Sequence, residues 1–118
     1  GRPFEAMNNL KHIGWKRGDW EGLQPHLAAM GDIKAKHAAD YHDKIVELLE
    51  SFGWSVRREY PVVLPNETGG RVDIVADHSL GFRIALELDN RSPRGKSIIK
   101  LGTFPAHVLC AIILRNPK

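Results

Sequence analysis

The sequence predicts an α/β fold with a mixed sheet. Three observations carry that expectation: one long amphipathic helix, three strand-like runs in succession, and a short helix that must cross back to a nearly all-apolar final strand. The first element is "KHAADYHDKIVELLESFG", where Ala38, Tyr41, Ile45, Leu48 and Phe52 recur at helical spacing; Asp32 is placed to cap its start and Gly53 to end it. "WSVRREYPVVL" follows as a strand rich in β-branched and aromatic residues, bent at Pro61 and stopped by Pro65 and "NETGG". "RVDIVAD" and "FRIALELD" are two further strands, joined by "HSLG" as a hairpin. "SPRGKSIIKLGTF" reads as a short helix starting at Ser92 or Pro93. "AHVLCAIILR" closes the series as a strand whose apolar run suits the middle of a sheet covered on both sides.

A chain of 118 residues suits one domain with a genuine core. Residues 1–33 show neither a period of two nor one of 3.6, so they read as an N-terminal extension of short helical turns and loops before a core domain over 34–118. No apolar run approaches the length of a membrane span, which leaves a membrane outside the expected partners. The chain opens Gly1-Arg2-Pro3 without Met or an apolar leader, and the expectation is a processed chain or a piece of a larger protein. The single Cys110, set in "HVLCAIIL", has no intrachain partner; it suits a reducing, cytoplasmic setting and the role of a small buried hydrophobe. The net charge of +3 permits a polyanionic partner without requiring one. Its distribution says more: Arg91, Arg94, Lys96 and Lys100 come soon after the carboxylate-bearing strand, with Arg57 and Arg58 one strand earlier.

Strand alternation decides which acids share a face. Asp73 goes with Val75 and Asp77, while Glu87 goes with Ala85 and Asp89, and a hairpin brings Asp73 toward Glu87 and Asp89. Three converging carboxylates need a cation or raised pKa values, and hard oxygen ligands suit Mg²⁺ or Mn²⁺. His42 lies on the helix face bearing Ala38, Ile45, Val46 and Leu49, which makes it a candidate fourth ligand. Each residue also has a plainer reading. Asp73 alone caps a turn or faces water; Glu87 and Asp89 are charges on a solvated strand edge; His42 is a core-edge histidine. Glu59 is an extra ligand or the ion-pair partner of Arg57, and His78 is a turn residue. Trp15, Trp20 and Trp54 stack on bases or, more simply, pack the core.

The order helix, strand, "GRVDIVA", "IALELD", helix, strand resembles the core of the PD-(D/E)xK nucleases, the restriction-endonuclease-like superfamily, over roughly residues 36–115. The resemblance implies an αβββαβ core with a mixed central sheet flanked by helices. Asp73 matches the first motif acid and Glu87 the second, and counting back eleven residues from Gly53 puts His42 in the slot where the family helix carries Glu or, in some branches, His. The motif lysine is missing, and Asp89 stands in its place. The resemblance then implies either that Lys96 or Lys100 reaches the site from the following helix, as migrated lysines do, or that Asp89 is an additional metal ligand. Lys100 is favoured because Ile98, Ile99 and Leu101 suggest a helix packed beside the sheet.

The activity implied by the resemblance is that of a Mg²⁺- or Mn²⁺-dependent nuclease in which metal-bound water attacks a phosphodiester of DNA, with RNA as a second possible substrate. Asp73, Glu87, Asp89, Lys96 and Lys100 form the catalytic set, and His42, Asp73, Glu87 and Asp89 the metal set. Arg58, Arg91, Arg94 and Lys96 grip nucleic-acid phosphates, unless they are generic basic surface. The alternative is a nuclease-fold module without catalysis that binds nucleic acid or a protein. Relatives work as homodimers or as domains of larger assemblies, and the same is expected here.

Overall fold

The computed structural model describes residues 5–7, 10–13 and 20–117, with side chains from Pro25 onward. Among the described residues six strands and three helices run in the order β1 (Glu5–Met7), β2 (Leu10–Ile13), α1 (Trp20–Gly31), α2 (Ala38–Ser51), β3 (Trp54–Val63), β4 (Gly69–His78), β5 (Arg83–Asp89), α3 (Gly95–Leu101) and β6 (Leu109–Leu114). They form an α/β fold around one mixed open sheet in the order β1-β2-β6-β5-β4-β3. Among the described strands only β5 and β6 run parallel, joined through α3 as the crossover expectation requires. Among the described residues no helix is long and apolar enough to cross a membrane.

Two elements extend what the sequence suggests. β1 and β2 pair with each other, and β2 pairs with β6, so residues from the N-terminal stretch complete the sheet. They span three and four residues, too short to display a period of two. α1 includes Pro25 and still packs Leu27 and Met30 into the core. The central position of β6 reflects its sequence: every residue is apolar and buried, and it lies between β2 and β5.

α2 forms because Tyr41, Ile45, Val46 and Leu49 make one buried stripe. The N-cap residue of α2 is His37, which makes no side-chain cap bond, so Asp32 does not cap the helix; the Asp32 N–H instead closes the end of α1 on Ala28 and Ala29. Gly53 ends α2 with φ of 92°, a left-handed conformation that suits glycine, and donates to the Glu50 carbonyl at 3.0 Å.

The bend in β3 falls at Glu59 rather than Pro61. Pro61 keeps its place opposite Arg71, whereas Glu59, opposite Asp73, has φ of 53° and breaks the ladder between Arg58–Ile74 and Tyr60–Val72. On one side of the break Val56, Ile74 and Ala76 join the core beneath α1 and α2; on the other Tyr60 and Val72 join the core beneath α3. A regular pleat keeps 72, 74 and 76 on one face, so both strands turn over at the Glu59–Asp73 step.

Candidate functional site

The sheet has two unlike faces. Leu27, Met30, Tyr41, Ile45 and Leu49 pack on Ile74, Ile84, Leu86, Leu88 and Ile113. The opposite face carries Val75, Ala85, Cys110 and Ile112 beneath Leu101 of α3. Alternation in β5 then points Ala85, Glu87 and Asp89 toward α3.

Asp73 and Glu87 meet where the β4–β5 ladder stops. The last regular pair is Ile74 with Leu86, and one step further Asp73 and Glu87 replace the backbone bonds with their side chains. Glu87 Oε2 accepts the Asp73 N–H at 2.8 Å, and Asp73 Oδ2 accepts the Leu88 N–H at 2.8 Å. Each acid thus satisfies an amide that a splayed hairpin leaves unpaired. Lys100 Nζ lies 3.2 Å from Glu87 Oε1, so both Glu87 oxygens have donors, while Asp73 Oδ1 has none among the described residues. The Glu87 side chain is fully buried and that of Lys100 is 16% exposed. Burial pushes the Glu87 pKa up; the Asp73 amide bond opposes that shift, the Asp73 charge adds to it, and Lys100 works against it.

Asp89 does different work. Its Oδ2 accepts the Arg94 N–H at 2.9 Å, and its Oδ1 accepts from Arg94 Nε at 3.2 Å and Ser97 Oγ at 3.0 Å. Both oxygens are therefore committed to the start of α3, the helix that carries Lys100. Lys100, eleven residues after Asp89, is the cation beside Glu87, and the acid at 89 anchors the helix that carries it. Ser97 is the residue that sequence reasoning missed. A serine four residues before Leu101, on the helix face turned to the sheet, is the available signal, because such a buried hydroxyl needs a partner.

The expected convergence of three acids and a histidine is, in the structure, a convergence of two acids and a lysine. Among the described residues no three His, Cys, Asp or Glu side chains group closely enough to hold a metal ion. His42 is half-buried on α2, whose buried stripe packs against the face opposite Glu87. Lys96 is exposed on α3, and Arg91 is exposed in the loop before it. The Arg94 side chain is 60% exposed and bound to Asp89. Arg58 pairs with Asp43 of α2 at 2.7 Å, away from the acids. Glu59 makes no ion pair with Arg57, whose guanidinium instead lies 5.2 Å from the centre of the Tyr60 ring. Trp54 is core: its Nε1 donates to His26 Nδ1 at 3.2 Å, and its ring meets His78 edge-on. His78 accepts the Leu80 N–H at the hairpin turn, as a turn residue should. Trp15 and the side chain of Trp20 lie outside the described residues. Cys110 is a buried hydrophobe, its thiol pushed up to about 12 by burial.

The fit of a divalent ion rests on the donor set. Mg²⁺ is commonly held by one or two carboxylates, with water and substrate phosphates completing its shell, so an all-protein cage is unnecessary. Asp73 Oδ1 and Glu87 supply such a pair, and a nearby ammonium complements phosphate. Comparisons with protein-family models, curated proteins and solved structures give no match.

Proposed function

We propose that Asp73, Glu87 and Lys100 form the centre of a metal-dependent phosphodiesterase that cuts DNA, in a chain built on the restriction-endonuclease-like plan. The observation that carries the reading is the 3.2 Å contact between Lys100 and Glu87, which places a cation beside the acid pair although the motif position holds Asp89. The element order from α2 to β6 and the splayed β4–β5 hairpin support it.

Asp73 and Glu87 would hold Mg²⁺ or Mn²⁺. The ion's contribution, when bound, is to polarise the phosphate, lower the pKa of water and offset charge on the leaving oxygen. The chain supplies the rest. Splaying of β4 from β5 keeps the two carboxylates facing each other, and the Leu88 and Asp73 amides fix their rotamers. Lys100, held by Glu87 in a mostly buried position, stabilises the extra negative charge that develops on phosphate oxygens during attack. Asp89 and Ser97 are positioning residues that hold α3, and with it Lys100, against the sheet.

Cleavage of plasmid and of single-stranded DNA in Mn²⁺ is the test. Wild type should cut, Asp73→Ala and Glu87→Ala should not, and Lys100→Met should fall by about 10²-fold or more. RNA of the same sequence serves as a parallel substrate.

A second reading, a module that binds nucleic acid or a protein without cutting, is favoured by one observation: both Glu87 oxygens already have protein donors. No cleavage in any divalent ion, with DNA binding retained in Glu87→Ala, would decide for it.

A further inference from the structure

A cleft of about 690 Å³ opens where the α1–α2 loop, the start of α2 and the end of β6 meet. Four cations line it, Lys34, Lys36, Lys44 and Arg115, against one acid, Asp40. Two of the four are tethered to the loop: Lys44 Nζ donates to the Lys34 carbonyl at 3.0 Å and Arg115 Nη1 to the Lys36 carbonyl at 2.8 Å. Lys44 also pairs with Asp40 at 3.4 Å. The ammonium groups of Lys34 and Lys36 have no partner among the described residues and are left facing solvent. The cleft also sits at the amino end of α2, where the helix dipole favours negative charge and His37 supplies no side-chain cap. Next to Asp40, the buried Tyr41 hydroxyl has no hydrogen-bond partner; burial pushes it up to about 12, and the Arg115 charge opposes that shift.

We propose that this cleft seats the backbone phosphates of a nucleic-acid strand on its way to the Asp73–Glu87–Lys100 centre, an inference that rests on the phosphodiesterase reading. The wall of the cleft is bonded to the strand that carries the centre: the Arg115 N–H donates to the Asp89 carbonyl and the Asn116 N–H to the Asn90 carbonyl, both at 2.8 Å. Glu87 lies two residues up β5, roughly 7 Å along the strand. Glu87 itself faces α3 and the cleft opens on the side of α2, so a nucleic acid that engages both passes around the ends of β5 and β6. The lining explains the class of ligand. It is far larger than one phosphate, rich in cations and free of aromatic rings, which suits sugar-phosphate backbone rather than a stacked base.

Fluorescence anisotropy of a labelled DNA duplex in EDTA, across a range of salt concentrations, tests this in the full chain. Lys34→Gln/Lys36→Gln should bind at least about tenfold more weakly than wild type and lose about two units of the log–log salt slope, close to one per phosphate contact. Both side chains are exposed, so folding is preserved, and circular dichroism checks it. A double variant with wild-type affinity and slope overturns the cleft while leaving the catalytic reading intact, because wild type still binds and cuts. A wild type that binds no DNA overturns both. Inorganic phosphate is the other arm: if it displaces the duplex at equal phosphate concentration, the cleft is a small-anion site and the backbone assignment fails.

Discussion

The two faces of the sheet solve opposite problems with the same strands. Beneath α1 and α2, Ile74, Ile84, Leu86 and Leu88 build a hydrocarbon core whose one unsatisfied side-chain group among the described residues is the Tyr41 hydroxyl. Beneath α3, a smaller apolar patch shares its space with Glu87, Asp89 and Ser97, all buried. Burying carboxylates costs desolvation, and here each has specific donors that offset it. Leu86 and Glu87 are neighbours in sequence with 0% exposure each, yet one serves stability and the other sits in the polar network. Full burial alone therefore does not separate core from site; the partners do.

Replacing Leu86 and Glu87 in turn probes that contrast most strongly. Leu86→Ala should lose about 2–5 kcal/mol in urea denaturation, from lost transfer energy plus the cavity left behind. Glu87→Gln keeps the shape and the acceptor for the Asp73 amide, so it should cost about 1 kcal/mol or less while abolishing cleavage. Equal losses from the two would make Glu87 a structural residue. Asp89→Ala comes next. It removes the acceptor for Arg94 and Ser97, should cost about 1–3 kcal/mol, and should slow cleavage through Lys100 with little change in DNA affinity. An unchanged cleavage rate would separate α3 anchoring from the chemistry.

Lys100→Met should cost about 1 kcal/mol near neutral pH, because it leaves Glu87 buried without its cation, and should cost less in a Glu87→Gln background. A double-mutant cycle reads the coupling directly, and zero coupling would mean that the contact is incidental. The smallest effect belongs to His26, on the α1 side. Burial lowers its pKa below 6.5, and His78 adds to the shift. The unfolded chain then takes up the proton first as pH falls, so this contribution is full above about pH 6.5 and is lost below it. Wild type should lose more stability than His26→Gln between about pH 8 and about pH 5 in thermal melts.

The strongly periodic parts were legible in the sequence for simple reasons. Tyr41, Ile45 and Leu49 mark α2, and the unbroken apolar run of β6 marks a central strand. Hairpin register brings Asp73 to Glu87, and a helix that has to lie on the sheet favours Lys100 over Lys96; the structure puts Lys100 Nζ against Glu87. For Asp89, alternation gives the side chain's face and not its partners, and the donors that claim it come from residues five and eight further along. For His42 the limit is related: a helix period shows which residues point inward but not which face of the sheet receives them, and α2 packs on the face opposite Glu87. The turn at Glu59 was hidden because Pro61 carries the louder local signal. Lys34, Lys36 and Arg115 were invisible as a group, since the loop and the end of β6 lie far apart in sequence and meet only in the fold.

Diffraction from crystals soaked in Mn²⁺, measured at a wavelength where manganese scatters anomalously, tests the acid pair most directly. The expected result is one strong anomalous peak within coordinating distance of both Asp73 and Glu87 in wild type and none there in Glu87→Gln. A wild-type crystal with no peak between them, at a Mn²⁺ concentration well above that of the protein, would contradict the metal-dependent phosphodiesterase.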